Sequence, residues 1–537
     1  MTTAPVGSTA PQRAEVAETH VSVLTFIGDR VYKLKKPVAP GFLDFTTREA
    51  RQRACHREVA LNRRLAPDVY LGVADVVGPD GAMCDHLVVM RRMPAARRLS
   101  TLVAAGADVD AELRAVARTV AAFHERAARS PEIDAHATAE AVRARWDVCA
   151  AELFPLLDSY SDQGLARRVV TLTARFLAGR AALFAARIAS RHVVDGHGDL
   201  TADDIFCLDD GPRILDCVEF DDRLRHVDVI DDVAFLAMDL ERLGHAELAA
   251  RFVRLYREYS GDTAPASLLH HYIAYRAIVR AKVARLRHLQ GDAEAAAEAE
   301  ALLRIAFCHA ERGRVELLLV GGAPGTGKST LSTSLGDALD CQVLRSDEVR
   351  KELLGMAHDA PAPAPYGEGA YTRDSTDATY LALLHRAEHL MRRGHAVVLD
   401  ATWRESRWRH AAAVIASRSA ADLVELCCEA PPDVVEKRIA SRPGGRSDAT
   451  VEVAERIAAG FDAWPTAVHL ETTDDPAQTL VTALHAVAEV ARTARRPVLA
   501  QTTRETCCAT PTESMSPGDP RPYKRVRSTS YPLSQVR

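Results

Sequence analysis

The apolar run Val315–Val320 leads into Gly322-Ala323-Pro324-Gly325-Thr326-Gly327-Lys328-Ser329 and then into the helix-like STLSTSLGDALD, and this passage constrains the chain more than any other. The pattern GxxxxGK[ST] between a strand and a helix is a phosphate cradle. Small, conformationally permissive residues let successive backbone N–H groups turn inward on a polyphosphate at the positive end of the helix dipole. Lys328 is placed to reach the β- and γ-phosphates, and Ser329 or its neighbour Thr330 to reach a magnesium ion, with the motif favouring Ser329. Beyond the cradle VLRSDE, HAVVLDAT and DLVELCCEA alternate with helical stretches. That alternation predicts an α/β domain with a parallel sheet.

The rest of the chain is too long for one such domain, because 537 residues at about 150 per domain make three to four compact units. A flexible head is expected over 1–17. A β-rich part at about 18–98 encloses one helical stretch, REARQRACHREVALNRRL, and a largely helical part follows at about 99–311. The cradle domain takes 312–495. Residues 496–537, a mixture of Pro, Thr, Ser and Arg without apolar periodicity, read as a disordered tail. No run approaches the ~18 apolar residues of a membrane helix, and the first twenty residues hold no apolar core of signal-peptide length. A cytoplasmic protein without a membrane partner is expected. Lys and Arg (68) nearly balance Asp and Glu (73), leaving −5 and no global basic field for nucleic acid. Eleven cysteines form no CxxC or Cys/His metal spacing and read as small buried hydrophobes in a reducing compartment.

A second acidic passage lies in the N-terminal half, His197-Gly-Asp199-Leu-Thr-Ala-Asp-Asp204-Ile205, followed by Ile214-Leu215-Asp216. On chemistry alone, Asp199 can position a hydroxyl nucleophile while Asp204 and Asp216 hold magnesium, since hard oxygen ligands suit that ion; an ordinary Asp-rich turn is the alternative. In Arg30–Pro37 the strand alternation places Lys33 and Lys35 on one face, for which an ordinary charged strand edge is the plain reading.

The cradle domain resembles the small-molecule P-loop kinases, the group of gluconate kinase and the zeta-toxin type, through CQVLRSDEVRKELLG. The resemblance implies that Asp347 binds or deprotonates an acceptor hydroxyl and that Arg350 grips the substrate. In PDVVEKRIASRPGGRSDAT, Arg438 and Arg442 are four apart, on one helical face, and in similar kinases this is a lid whose arginines close over the phosphates. A motor-type ATPase is disfavoured: its second strand usually ends in Asp-Glu, whereas AVVLD here runs into Asp400-Ala401-Thr402. The second passage resembles the catalytic stretch of aminoglycoside phosphotransferase-like kinases, HGDxxxxN followed by a hydrophobic-Asp metal site. By that match Asp199 is the catalytic base, Asp216 the principal magnesium ligand, and Asp204 stands where the family has Asn, a departure that adds charge beside the nucleotide. Asp232 falls at the helix start that supports the catalytic loop. The same resemblance makes Lys33 the nucleotide-phosphate lysine and Glu58, better flanked by apolar residues than Glu49, its partner. No GxGxxG covers the phosphates; Gly28 is the one glycine of the first hairpin.

Taken together, ETH at 18–20, VYKLKKPV at 31–38, GFLDF at 41–45 and NRRLAPDVYLGV at 62–73 resemble the signatures of a bacterial family that fuses an aminoglycoside phosphotransferase-like domain to an ATP-binding P-loop domain. The expected fold is an α+β kinase-like module followed by an α/β P-loop kinase domain. The expected activity is bifunctional: transfer of the γ-phosphate of ATP, with Mg2+, to hydroxyl groups of small-molecule acceptors. A nucleotide-gated regulatory protein with a non-catalytic kinase-like half is the alternative. Neither the acceptors nor the oligomeric state follow from the family resemblance, because fold and acceptor are separable.

Overall fold

Alternation sets the N-terminal sheet. In the strand Arg30–Lys35, Val31, Lys33 and Lys35 share one face, and that face is covered rather than solvated. A computed structural model of the protein describes residues 14–19, 21–39, 44–357, 372–441, 451–473 and 475–493. Its first sheet is antiparallel, in the order β1 (Glu15–Glu18), β2 (Ser22–Ile27), β3 (Arg30–Lys35), β5 (Met83–Arg91), β4 (Tyr70–Val77). The helix Arg48–Asn62 begins at Thr47, whose side chain accepts from the Ala50 N–H. It presses Cys55 and Val59 onto Val31, Val88 and Met90. The sheet starts earlier than expected: Glu15–Glu18 pairs with Val23–Phe26, so part of the head, taken as flexible through residue 17, is an edge strand.

Two short ribbons follow, β6 (Val193–Asp195) with β9 (His226–Asp228) and β7 (Ile205–Leu208) with β8 (Gly211–Ile214), set among helices. The helix Val229–Arg242, whose sequence VIDDVAFLAMDLER is apolar on nearly every side, is buried from Val229 through Leu240. Such a helix has to sit inside others, and Ala246–Ser260, Ala266–Leu289 and Ala295–Arg312 pack around it. No single helix among the described residues is long and apolar enough to cross a membrane.

The last sheet is parallel, in the order β11 (Gln342–Arg345), β12 (Val397–Asp400), β10 (Glu316–Gly321), β13 (Asp422–Glu429), β14 (Val468–Glu471). Both faces of β10 are buried, since Leu317 and Leu319 join one cluster and Leu318 and Val320 another, as the continuous run LLLV requires. The tail expected at 496–537 lies outside the described residues.

The helical part of the N-terminal module meets this sheet at the loops that precede its strands. Arg175 pairs with Asp422 at the start of β13, and the fully buried Arg180 donates to the Ser419 carbonyl. Ser267 Oγ donates to the Gly394 carbonyl at 2.6 Å, just ahead of β12. Gly179 is required by this contact, because a Cβ there would stand 2.2 Å from the Ser419 carbonyl oxygen. Gly179→Ala is therefore expected to destabilise the protein by about 1–3 kcal/mol through overpacking. Denaturant unfolding should show the loss while nucleotide binding at the cradle is unchanged.

Candidate active sites

At the N-terminal site β3 and the helix Arg48–Asn62 bring two lysines to one buried carboxylate. Glu58 Oε1 lies 2.9 Å from Lys33 Nζ and Oε2 lies 2.7 Å from Lys35 Nζ. Lys33 also reaches Asp216 at 2.8 Å, and Lys35 reaches Glu219 at 2.6 Å. Burial works against every charge here, but Asp216 and Glu58 outweigh it and hold Lys33 well above the usual lysine range. Glu58 is likewise pulled down by Lys33 and Lys35 against its burial. Asp216 is lowered by Lys33 before any other influence. It sits at φ +63° two residues after β8, with its N–H donated to the Tyr70 hydroxyl.

The loop from His197 to Asp204 is fixed from behind. The Asp232 carboxylate, on the buried helix, accepts from the N–H groups of His197 (2.6 Å) and Gly198 (2.8 Å). Despite its burial it is held below the usual carboxylate range by His124 and His197. A side chain at Gly196 would collide with that carboxylate. His197 bonds the Leu215 carbonyl through Nε2 (3.1 Å), and burial lowers it to about 4. A carbonyl only accepts, so Nε2 carries the proton and Nδ1 is left to accept from the Asp199 N–H at 3.3 Å. A neutral imidazole with both nitrogens engaged is a brace for the loop, not a base.

Asp199, Asp204 and Asp216 face one another across this loop. Burial raises Asp199 to about 6, with Asp216 adding to the effect and Arg280 opposing it. Burial, then Asp216 and Asp199, raise Asp204 well above the ordinary carboxylate range, although Thr201 Oγ1 donates to it at 2.7 Å. With Glu58 and Glu219 there are five carboxylates against the two lysines, so the donor set and the excess negative charge suit a hard divalent cation held by Asp204 and Asp216.

At the cradle, Gly322, Gly325 and Gly327 take φ of +129°, +87° and +88°. A Cβ at Gly322 would lie 2.3 Å from the Cys428 carbonyl, so the turn that presents the N–H groups of Ala323, Gly325, Thr326 and Gly327 needs glycine. Thr326 donates to the Ala323 carbonyl, as does Lys328 Nζ at 2.8 Å. Ser329, one residue into the helix Lys328–Leu339, sits beside the Asp400 carboxylate at the end of β12. Burial raises Asp400, while Lys328 and Ser329 favour its charged form. Thr330 instead lines a cavity of about 310 Å³ with Gly325, Gly327, Arg438, Thr472 and Thr479. The hydroxyl paired with a carboxylate is thus that of Ser329, and the pair fits magnesium.

Asp347 and Arg350 lie one helical turn apart after β11, joined by a 2.8 Å ion pair. Arg438 bonds Thr472 through Oγ1 (3.2 Å) and the carbonyl, while Thr472 Oγ1 donates to the Thr326 carbonyl at 2.8 Å. The helix carrying Arg438 spans Pro432–Ala440, and Arg442, expected on the same face, lies outside the described residues. Sequence reasoning left Lys35, Glu219, Asp400 and Thr472 without roles. Only the position of Asp400, a strand-end Asp after an apolar run, carried a signal that could have marked it.

Residues 27–269 match the model of the Phosphotransferase enzyme family, and 317–464 match that of an AAA domain. An uncharacterised protein of Mycobacterium tuberculosis is 45% identical over 458 residues, 85% of this chain and 92% of its own length. The chain belongs to the family that fuses an aminoglycoside phosphotransferase-like domain to a P-loop domain. Among solved structures, an aminoglycoside phosphotransferase bound to GDP and kanamycin is 17% identical and covers 56% of this chain and 94% of its own, with a TM-score of 0.36. A gluconokinase from Sinorhizobium meliloti is 15% identical, covers 34% of this chain and 95% of its own, and has a TM-score of 0.26. This fusion protein is a kinase-type phosphotransferase.

Two outcomes test the N-terminal site. Asp204→Asn should keep magnesium-nucleotide binding, or tighten it up to about tenfold, because the amide oxygen still accepts from Thr201 and one repelling charge is gone; calorimetric titration reads this, and lost binding would contradict the assignment. Asp199 is protonated below about pH 6 and then accepts no proton. In a Lys328→Ala background, kcat/KM for ATP turnover at this site should therefore rise tenfold per pH unit up to about 6 and level off above it, with Asp199→Asn removing the inflection.

Proposed function

We propose that the protein is a bifunctional ATP-dependent phosphotransferase, with each module passing the γ-phosphoryl group of ATP to a hydroxyl of a small-molecule acceptor. The observation that carries this reading is the order of groups along the C-terminal edge of the parallel sheet. The cradle follows the central strand β10. The cavity lined by Thr330, Arg438, Thr472 and Thr479 lies toward β13 and β14. Asp347 and Arg350 lie toward β11, on the opposite flank, with Asp400 between. A nucleoside in the cavity puts its phosphates through the cradle, so the terminal phosphoryl group points toward Asp347. That is the arrangement in-line transfer needs.

In this reading the N–H groups of Ala323, Gly325, Thr326 and Gly327, with Lys328, hold the β- and γ-phosphates. Ser329 and Asp400 hold the magnesium ion, which when bound neutralises charge on the transferring group. Asp347 accepts the acceptor's hydroxyl proton and Arg350 orients both. Arg438, already on the Gly325 carbonyl at 3.5 Å and on Thr472, closes the nucleotide side. At the N-terminal site Lys33 binds phosphate, Glu58 holds Lys33, Asp204 and Asp216 bind the metal, and Asp199 takes the proton. ATP, Mg2+ and two small acceptors are the partners this requires, without membrane or nucleic acid, in the cytoplasm.

Incubation with labelled ATP and a metabolite extract should give phosphorylated small molecules. For the cradle domain, Lys328→Ala should weaken both nucleotide binding and turnover. Asp347→Asn should keep ATP bound yet reduce acceptor-dependent transfer by about 10²–10⁴. Steady ATP hydrolysis without acceptor, untouched by Asp347→Asn, would overturn the kinase reading of this half.

A further inference from the structure

The register of β13 against β14 brings together three side chains that no sequence spacing connects. Cys427 is the direct partner of His469 across the parallel pair, and Glu429, two residues further along β13, shares the face of Cys427. The Cys427 Sγ, a Glu429 carboxylate oxygen and a His469 ring nitrogen all lie within 4.8 Å of one another.

The hydrogen bonds of the imidazole decide what this cluster wants. His469 Nε2 faces the Trp464 carbonyl at 3.3 Å, and a carbonyl only accepts, so Nε2 bears the proton. In the neutral ring Nδ1 is then a bare lone pair, and it stands 2.6 Å from Glu429 Oε1, a second acceptor. Two acceptors at that distance require something positive between them. The third member, the Cys427 thiol, is 6% exposed and has no hydrogen-bond partner among the described residues. Holding a ligating histidine through its other nitrogen on a backbone carbonyl is also the usual device for fixing a metal-binding tautomer.

We propose that Cys427, Glu429 and His469 bind a divalent transition metal of the zinc class, leaving one coordination position to solvent. One nitrogen, one oxygen and one sulfur donor suit zinc and its neighbours rather than magnesium. Bonds of about 2.0–2.3 Å set tetrahedral donors about 3.3–3.7 Å apart, so Glu429 and His469 must part by less than an ångström. Their side chains are 58% and 49% exposed and free to do so. On binding, the thiol proton passes to solvent and the thiolate becomes the ligand. The site borders the cradle: the Glu429 carbonyl accepts from the Thr472 N–H at 2.9 Å, and Thr472 bonds the Thr326 carbonyl. The competing occupant is a proton, which would make the pair a plain imidazolium–carboxylate bridge and leave the thiol out.

The test is cobalt titration of the full-length, chelator-treated protein. One equivalent of Co2+ should give a near-ultraviolet thiolate-to-cobalt band with visible d–d bands, both displaced by Zn2+. Magnesium sites built from hydroxyl and carboxylate cannot give the thiolate band. Cys427→Ser should abolish it. His469→Gln and Glu429→Gln change exposed side chains, so the fold should survive, and each should weaken Co2+ binding by at least about tenfold. Absence of a thiolate band at stoichiometric Co2+, or a band unmoved by His469→Gln and Glu429→Gln, would overturn the proposal in favour of the proton.

Discussion

Two ammonium groups on one face of β3 share a single carboxylate that solvent does not reach, and the geometry of the N-terminal site depends on that sharing. Removing an ion from water carries a penalty of several kcal/mol, and a buried pair seldom returns much more than that. A chain under selection for stability alone would place apolar residues at Lys35 and Glu58, as it does at Val31 and Val59 on the same faces. What the ions provide is position. Glu58 is gripped from both sides, so Lys33 can turn from Asp216 toward a phosphate while Lys35, itself held by Glu219, still neutralises Glu58. Lys35 thereby decouples the anchor from the moving part.

The same accounting explains the loop opposite. Asp199, Asp204 and Asp216 repel one another, and the repulsion is contained because the backbone between them is tied down elsewhere. Asp232 holds His197 and Gly198, Asp239 accepts from Ala202 at 2.9 Å, and Arg276 binds the Gly198 carbonyl at 3.0 Å. Carboxylates crowded on a rigid loop relax on meeting a cation; on a pliable loop they would simply move apart.

What the sequence disclosed follows the range of the interactions involved. The cradle was legible because eight consecutive residues, a strand and a helix suffice to define it. Lys33, Asp199 and Asp216 were reachable through short local patterns. Glu219 was not, since its role exists only through Lys35, far away in the chain and nearby only once β3 and the loop after β8 meet. Thr472 likewise gains meaning from β14 lying beside β13, which brings it to Arg438 and to the cradle. The early strand Glu15–Glu18 was hidden for a different reason: all four residues are exposed, so no apolar alternation marked it.

The parallel sheet also sorts the molecule's contacts. The cradle, Asp347 and Asp400 all sit at the C-terminal ends of β10, β11 and β12, the edge at which open α/β sheets bind ligands. Docking to the N-terminal module uses the other end: Arg175 on Asp422, Arg180 on Ser419, Ser267 on Gly394. Burial there raises Glu316, at the foot of β10, to about 7, with Arg314 opposing the shift. Because the helical module covers the foot of the sheet, the edge bearing the cradle, Asp347 and Asp400 stays clear of it. Coupling between the two modules would run through β12 and β13, the strands whose starts the helical module grips and whose ends flank the cradle strand β10.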